Sequence, residues 1–70
     1  MLETIIVLVE EETGKEVTAD TLLDSLDIES LDFLDLLLTI QEKFGVIIPD
    51  SAVAKINKVG DLAKAVAGTL

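Results

Sequence analysis

Apolar positions recur with a helical period along several stretches of the chain. The first stretch, from Leu2 to Glu12, holds an apolar run rich in β-branched residues and flanked by glutamates. The glutamates favour a helix, as does the Thr13-Gly14 pair, which offers a C-terminal stop. A strand is the alternative, because a short apolar run fits either period.

The longest periodic stretch runs from Ser30 to Phe44. Serine is a favoured N-cap, Asp32 lies in the first turn where the helix dipole favours an anion, and Gly45 follows as a stop. At about 100° per residue, one apolar face is expected to be buried: Phe33, Leu36, Leu37, Ile40 and Phe44. The opposite stripe is expected to face water: Asp32, Asp35, Thr39, Glu42 and Lys43.

The remaining segments predict a long loop, a short helix and a final helix. The connection from Gly14 to Glu29 is mostly polar, and such long loops tend to be functional. Its apolar residues are expected to tuck back against the core: Leu22, Leu23, Leu26 and Ile28. Pro49-Asp50-Ser51 begins a helical turn towards Ile56, and Val59 to Ala67 predicts a helix with one apolar face: Val59, Leu62, Ala63 and Val66. We therefore predict an all-α fold, in which residues 1–70 form a single four-helix bundle with a short third helix.

Composition narrows the chemistry that this domain can perform. Of 70 residues 50% are apolar, and Phe33 and Phe44 are the only aromatic ones, so the core is expected to be aliphatic. Without cysteine and histidine there is no disulfide and no soft metal site. The carboxylates lack the spacing of an EF-hand, so no metal site is predicted.

The charge indicates which partners to expect. Fourteen acidic residues against five lysines give a net charge of −9. Nucleic acid and acidic membranes are disfavoured, because phosphate binding requires clustered basic residues. Proteins with basic docking patches are expected instead, attracted by electrostatic steering. Alternatively, the charge only keeps a small apolar protein soluble.

No segment is long enough to span a membrane. The apolar run near Met1 is short, and it lacks the basic leading region and the cleavage site of a signal peptide. We therefore expect a cytoplasmic protein without membrane insertion.

Ser30 stands between carboxylates in the segment Ile28-Glu29-Ser30-Leu31-Asp32. It cannot act as a catalytic nucleophile by itself, because the chain has no histidine to take its proton. No catalytic residue is predicted. Taken alone, the serine is explained by a structural N-cap. It is also a suitable acceptor for a group that another enzyme attaches.

The stretch from Ser30 to Pro49 resembles the second-helix region of acyl carrier proteins. An acidic residue before Ser-Leu-Asp, the Phe-Gly helix end and the Ile-Pro spacing all agree, and the stretch from Lys55 to Leu62 is similar to the family's approach to its last helix. The resemblance covers nearly the whole chain and is strongest from Leu26 to Leu62. It implies that Ser30 carries a covalent 4′-phosphopantetheine arm derived from coenzyme A.

A second serine matches the family tripeptide more closely. Asp24-Ser25-Leu26 has the usual aspartate, but Ser25 stands 24 residues before Pro49, whereas Ser30 stands 19 before it, as in the family. Ser25 also falls inside the predicted loop. Ser30 is therefore the predicted attachment site.

The chain departs from the family pattern at three points. Glu29 replaces the usual aspartate and keeps its charge. Asp27 stands where glycine is frequent, so its backbone is expected to adopt a positive φ, which Asp tolerates. The loop is also a few residues shorter than in the common fatty-acid carriers. These departures favour a specialised pathway.

The resemblance implies a carrier that presents acyl thioesters to fatty-acid, polyketide or specialised-lipid enzymes, with the chemistry residing in the arm and the partners. The implied partners of the monomer are a holo-carrier synthase (phosphopantetheinyl transferase) and acyl synthetases, ketosynthases or acyltransferases with basic docking patches. The alternative cargo is an aminoacyl, D-alanyl or peptidyl group, which the apolar interior weakly disfavours. An unmodified helical interaction module is a further alternative.

Two sets of residues are predicted to serve this carrier. Leu31 and Leu38 border carboxylates at the edge of the second helix, as in a docking surface for a basic, partly apolar partner, although contact with the loop or the third helix is the alternative. The predicted docking residues are Glu29, Leu31, Asp32, Asp35, Leu38 and Glu42. The acyl chain is expected to rest between the helices, in a pocket formed by Phe33, Leu37, Ile40, Ile48, Ile56 and Leu62.

Overall fold

Four α-helices form a bundle in the computed structural model, which describes residues 1–69. They are α1 (Leu2–Thr13), α2 (Ser30–Phe44), α3 (Asp50–Val53) and α4 (Val59–Thr69), with a 3₁₀-helix at Leu23–Leu26. Helix α1 packs against both α2 and α4. The predicted bundle with a short third helix is confirmed. The strand alternative for the first segment is wrong, because all of it is helical.

The core is aliphatic and is built mainly by α1, α2 and α4. Its buried side chains in these helices are Ile5, Val9, Leu36, Leu37, Ile40, Val59, Leu62 and Val66. Each side chain removed from water as completely as Ile40 contributes about 1.5–3 kcal/mol. Phe33 and Phe44 were expected among them, but both are only half-buried and pack against the margin of the core. The two rings therefore lie at opposite ends of the buried face of α2.

Glycines end the first two helices as the sequence predicts. Gly14 and Gly45 adopt the left-handed conformation, with φ of 71° and 66°. The Gly14 N–H donates a hydrogen bond of 2.7 Å to the carbonyl of Glu10, and the Gly45 N–H donates to that of Gln41. These bonds satisfy carbonyls that the helix ends leave free.

The start of α2 differs from the prediction by one residue. The N-cap position is held by Glu29, whose backbone is extended, and Ser30 is the first helical residue. The expected serine N-cap is therefore wrong, because a capping side chain must come from the residue just before the helix.

A strap of backbone hydrogen bonds joins the long loop to the start of α4. The N–H of Leu23 donates to Asn57 at 2.9 Å, and that of Val59 donates to Thr21 at 3.0 Å. Within residues 1–69, Leu22 and Lys58 also pair as an isolated antiparallel bridge. The connection between α1 and α2 is thus an ordered segment held by residues far along the chain.

The strap explains which loop leucines reach the core. Leu23 and Leu26 are buried and Ile28 is partly buried, as predicted. Leu22, expected to join them, is 50% exposed. Successive residues of an extended segment point to opposite sides, so Leu22 faces solvent when Leu23 faces the core. None of the helices within residues 1–69 has the length and apolar content to cross a bilayer.

Candidate functional site

A sharp turn at Asp27 sets the direction in which the chain enters α2. Among the described residues Asp27 alone has a positive φ without being glycine, at 53°, which confirms the expectation for this position. Just before the turn, the carbonyl of Leu26 accepts a hydrogen bond of 3.1 Å from the Lys15 ammonium. The approach to Ser30 is therefore fixed by both backbone conformation and a side-chain anchor.

Ser30 lies exposed at the first position of α2. The first hydrogen bond of the helix runs from the Phe33 N–H to the Glu29 carbonyl, at 2.9 Å, so the N–H groups of residues 30–32 precede the intrahelical ladder. The positive end of the helix dipole therefore lies at this serine. Another enzyme has open access to a hydroxyl in this position.

The two candidate serines differ in what their hydroxyls do. Ser25 lies in the 3₁₀-helix, and its hydroxyl donates a hydrogen bond of 2.6 Å to the Leu22 carbonyl. Ser30 is exposed, and in the part of the chain that the structure describes no side chain caps the start of α2. The Ser25 hydroxyl is thus engaged within its own turn, while Ser30 lies exposed at the first position of α2.

These residues fit a phosphodiester-linked group at Ser30. Helix N-termini bind phosphate through free backbone N–H groups and the dipole, and α2 offers both at its first residue. The exposed carboxylates of Glu29 and Asp32 lie on either side in the sequence. They oppose a phosphate electrostatically, so the site favours an attached phosphate less than an uncharged helix start does.

The predicted docking residues lie together on the solvent side of α2 and its approach. All six are exposed: Glu29, Leu31, Asp32, Asp35, Leu38 and Glu42. Leu31 is 77% exposed and Leu38 is 53% exposed. The high exposure of Leu31 therefore argues against the alternative that it packs on the loop or the third helix.

Leu34 is missing from the predicted docking residues. It is 54% exposed, and the spacing of residues 31, 34 and 38 forms a second apolar stripe on α2, a signal that the sequence already contains. Ile47, in the turn after α2, is 83% exposed. We call Leu31, Leu34, Leu38 and Ile47 the apolar edge.

A groove between α2 and α3 adjoins the apolar edge. It has a volume of about 290 Å³, and its lining includes Leu34, Leu37, Leu38 and Ile48. The Ile48 N–H donates a hydrogen bond of 2.7 Å to the side-chain oxygen of Gln41, which holds the turn after α2 against the helix. Leu38 is therefore partly covered by its neighbours, in contrast to Leu31.

The residues predicted for an acyl pocket occupy three different environments. Ile40 and Leu62 are fully buried in the core. Leu37 and Ile48 line the α2–α3 groove, whereas Phe33 and Ile56 line a separate cavity of about 200 Å³. The other walls of that cavity are Leu23, Asp24 and Ile28, which were not among the predicted pocket residues. The structure does not bring the six predicted residues together around one cavity.

Asp61 holds the start of α4 and thereby one side of the strap. Its carboxylate accepts hydrogen bonds from the N–H groups of Lys58, at 3.0 Å, and Asn57, at 2.9 Å. These two bonds hold the pKa of Asp61 below its ordinary value of 3.8, because they stabilise the charged form. Among the described residues no cluster of three or more metal-binding side chains is found.

Comparison with known proteins agrees with this geometry. A family profile described as "Phosphopantetheine attachment site" matches residues 2–66. The acyl carrier protein of Rhodococcus erythropolis is 41% identical over 59 residues, covering 79% of this chain and 65% of that protein. The one from Zymomonas mobilis is 44% identical over 50 residues, covering 71% and 64%. The one from Tropheryma whipplei is 35% identical over 65 residues, covering 87% and 79%.

Comparison of the fold with solved structures indicates the same family of small helical carrier domains. A crystal structure of an acyl carrier protein from Thermotoga maritima matches with a TM-score of 0.76 at 27% identity, covering 97% of this chain and 84% of that one. The chain belongs to the acyl carrier protein family, whose members carry a covalent 4′-phosphopantetheine. It spans 65% and 64% of the length of the first two relatives. The resemblance predicted from the sequence is confirmed.

Proposed function

We propose that this protein carries acyl intermediates as thioesters on a 4′-phosphopantetheine arm attached to Ser30. One observation carries the proposal: Ser30 is exposed at the first position of α2, inside the segment that the attachment-site profile matches. Acyl cargo is favoured over aminoacyl or peptidyl cargo, because the relatives bear the name acyl carrier protein.

The chain itself supplies an attachment point and binding surfaces, and no catalytic residue. When coenzyme A donates the arm, an O–P bond forms at Ser30 and adenosine 3′,5′-bisphosphate leaves. The proton of the Ser30 hydroxyl goes to a base of the transferase, since this chain has no histidine. The thioester chemistry then belongs to the thiol of the arm and to the partner enzymes.

The partners of this carrier approach the exposed side of α2. The six docking residues combine carboxylates with Leu31 and Leu38, which suits enzymes with basic, partly apolar patches. We include a phosphopantetheinyl transferase and fatty-acid, polyketide or specialised-lipid enzymes among these partners. We also propose that the protein is a single domain and acts as a monomer in the cytoplasm.

Chemoenzymatic loading tests the proposal. Purified apo protein is incubated with a broad-specificity phosphopantetheinyl transferase and octanoyl-coenzyme A, and its intact mass is measured. We expect one acylated arm per chain, and hydroxylamine should then release the acyl group and leave the arm in place. Absence of any mass gain, with an established carrier modified in parallel, would contradict the proposal. Loading of the holo protein by aminoacyl donors but not acyl donors would overturn the assigned cargo.

A further inference from the structure

Charge is distributed unevenly along this chain. Thirteen of its fourteen carboxylates precede residue 51, whereas three of its five lysines follow that residue. These lysines are Lys55, Lys58 and Lys64, and Asp61 is the only acidic residue in the same stretch. All three lysines are exposed. The side chains of residues 51–70 thus have a net positive charge, in a protein whose overall charge is −9.

The three lysines surround a groove between α3, the segment that follows it and α4. The groove has a volume of about 270 Å³. Its lining consists of two lysines, one aspartate and three apolar residues: Ala52, Lys55, Ile56, Asp61, Lys64 and Ala65. The Lys58 N–H donates a hydrogen bond of 3.0 Å to the carboxylate of Asp61, so Lys58 adjoins the same groove. We call this groove, together with Lys55, Lys58 and Lys64, the lysine face.

Leu22 adds an exposed apolar side chain next to the lysine face. It pairs with Lys58 in the isolated antiparallel bridge, and residues directly opposite each other in such a pair have neighbouring side chains. Leu22 is 50% exposed and so remains available to a partner. The lysine face therefore combines positive charge with apolar surface, both in its groove and at Leu22.

The lysine face is separate from the acidic surfaces of the molecule. Among the described residues, none lines both this groove and the α2–α3 groove. Asp50 lines the α2–α3 groove, and Asp24 lines the cavity of about 200 Å³. Salt screens exposed charges beyond about 8 Å at physiological ionic strength, whereas the molecule measures 27 × 22 × 19 Å. A ligand at the lysine face therefore responds mainly to the local positive charge.

We propose that the lysine face is a second docking surface, and that it binds an acidic protein segment bearing one apolar side chain. Charge complementarity selects the acidic segment, and the groove receives the apolar side chain. An apolar cavity of about 150 Å³ holds benzene, so a groove of about 270 Å³ has room for a phenylalanine or leucine side chain.

This inference goes beyond the carrier function, because it requires neither the arm nor the docking residues of α2. A protein bound at the lysine face leaves Ser30 exposed at the start of α2. The carrier is then held by one protein while enzymes exchange at α2.

A narrow acidic segment fits the lysine face better than an anionic membrane does. Membrane-binding clusters usually contain about four to eight basic residues, whereas this face has three. A bilayer is also much wider than the molecule, so it meets surrounding carboxylates as well as the lysines. A protein segment contacts only the groove and its immediate margin.

A peptide titration followed by NMR tests the proposal. Three short peptides are added to ¹⁵N-labelled protein: one of aspartate and glutamate with a central phenylalanine, the same peptide with a central serine, and one of lysine with a central phenylalanine. The acidic phenylalanine peptide should shift the amide signals of residues 52–65 saturably and leave those of residues 31–38 in place. The acidic serine peptide should bind more weakly, because it leaves the groove empty. The lysine peptide should shift the signals of α2 instead.

Two variants and a matched control separate local charge from net charge. Lys64→Glu should weaken binding of the acidic phenylalanine peptide by roughly tenfold. Lys43→Glu makes the same change at an exposed lysine in the last turn of α2, and it should bind this peptide nearly as wild type does. Ala52→Leu fills the groove and should remove the advantage of phenylalanine over serine.

Three results would overturn the proposal. The first is the absence of a saturable shift in residues 52–65 with the acidic phenylalanine peptide. The second is an equal loss of affinity in Lys64→Glu and Lys43→Glu, which would indicate an effect of net charge. The third is binding to phosphatidylglycerol vesicles that depends on Lys64 while neither acidic peptide binds, which would identify a lipid surface as the ligand. None of these measurements involves the arm, so this inference and the function proposed for Ser30 fail separately.

Discussion

Gly60 lies so close to the carbonyl of Ala19 that an added side chain would make an unusually tight contact with its oxygen. The Gly60 N–H donates a hydrogen bond of 2.9 Å to the Ala19 oxygen, and a Cβ built on Gly60 would lie 3.0 Å from that same oxygen. This contact ends the strap between the long loop and α4. Gly60 is thus a point of close contact between the long loop and the start of α4.

Gly60→Ala should destabilise the fold by about 1–3 kcal/mol, the usual cost of overpacking. The added methyl group meets backbone, which cannot move aside as a flexible side chain can. The measurement is the free energy of unfolding from a denaturant titration. Gly68→Ala in the same helix is the control, because a Cβ there meets nothing within 4 Å. Equal losses in the two variants would mean that the strap does not depend on this contact.

Ser30→Ala should abolish the attachment of the arm. Wild type is expected to gain about 340 Da, the mass of the phosphopantetheine group, on treatment with coenzyme A and a transferase. Ser25→Ala should gain the same mass, since its hydroxyl is engaged with Leu22 in the 3₁₀-helix. Intact mass spectrometry reads out all three proteins. The reverse pattern would assign the arm to Ser25.

Asp35→Lys should weaken docking to partner enzymes by roughly tenfold, mainly through the association rate and most strongly at low salt. Its melting temperature should hardly change, because Asp35 is exposed. Glu11→Lys is the control, because it makes the same change of charge at an exposed position of α1. It separates an effect of the α2 surface from an effect of the net charge. Association rates measured across a salt series are the readout. Equal slowing in both variants would place the docking surface elsewhere.

Salt should stabilise the folded protein. Fourteen carboxylates repel one another in a domain whose net charge is −9, and its small core leaves a margin of only about 3–5 kcal/mol. About 0.2 M salt reduces this repulsion by screening, and millimolar Mg²⁺ or Ca²⁺ should also raise the melting temperature. Circular-dichroism melts provide the measurement. A melting temperature that does not change with salt would show that the lysines and helix N-termini already offset the repulsion among the carboxylates.

The stability of the folded protein should fall at low pH, because Asp61 loses its charge there. Its folded pKa lies below the ordinary value of 3.8, so its stabilising effect is complete above that value and is lost as the pH falls through the folded pKa.

Asp61→Asn tests this contribution of Asp61. The variant should be less stable than wild type at neutral pH, and it should lose less stability than wild type between pH 4 and strong acid. Asp20→Asn removes one exposed carboxylate without touching the start of α4 and serves as the control. Melts across a pH series compare the three proteins. Identical acid limbs for wild type and Asp61→Asn would rule out the carboxylate of Asp61 as their cause.

The helices and the family could be predicted because their signals are local. Gly14 and Gly45 each end a helix in the left-handed conformation that glycine favours. Asp27 adopts the positive φ expected of it. The N-cap was misplaced by one residue because serine is a favoured N-cap residue and glutamate is not, so residue type favoured Ser30 over Glu29. Leu34 was missed although its spacing from Leu31 places it on the same edge of α2.

The strap and the cavities could not be predicted in the same way. The bond from Gly60 to Ala19 joins backbone atoms, and backbone pairing leaves little trace in residue type. The cavity of about 200 Å³ depends on how Phe33 and Ile56 pack against the loop, which periodicity does not determine. Periodicity identifies the buried face of a helix, but not the gaps that remain between neighbouring elements.

The strap also has a consequence for the time at which the arm can be added during protein synthesis. The residues that bind the loop, Asn57 to Gly60, are translated well after Ser30. Until they leave the ribosome, the segment leading into α2 lacks its long-range anchor, even if the helix itself has formed. A transferase that recognises the folded approach to Ser30 is therefore expected to act only after residues 57–60 have been synthesised and have bound the loop.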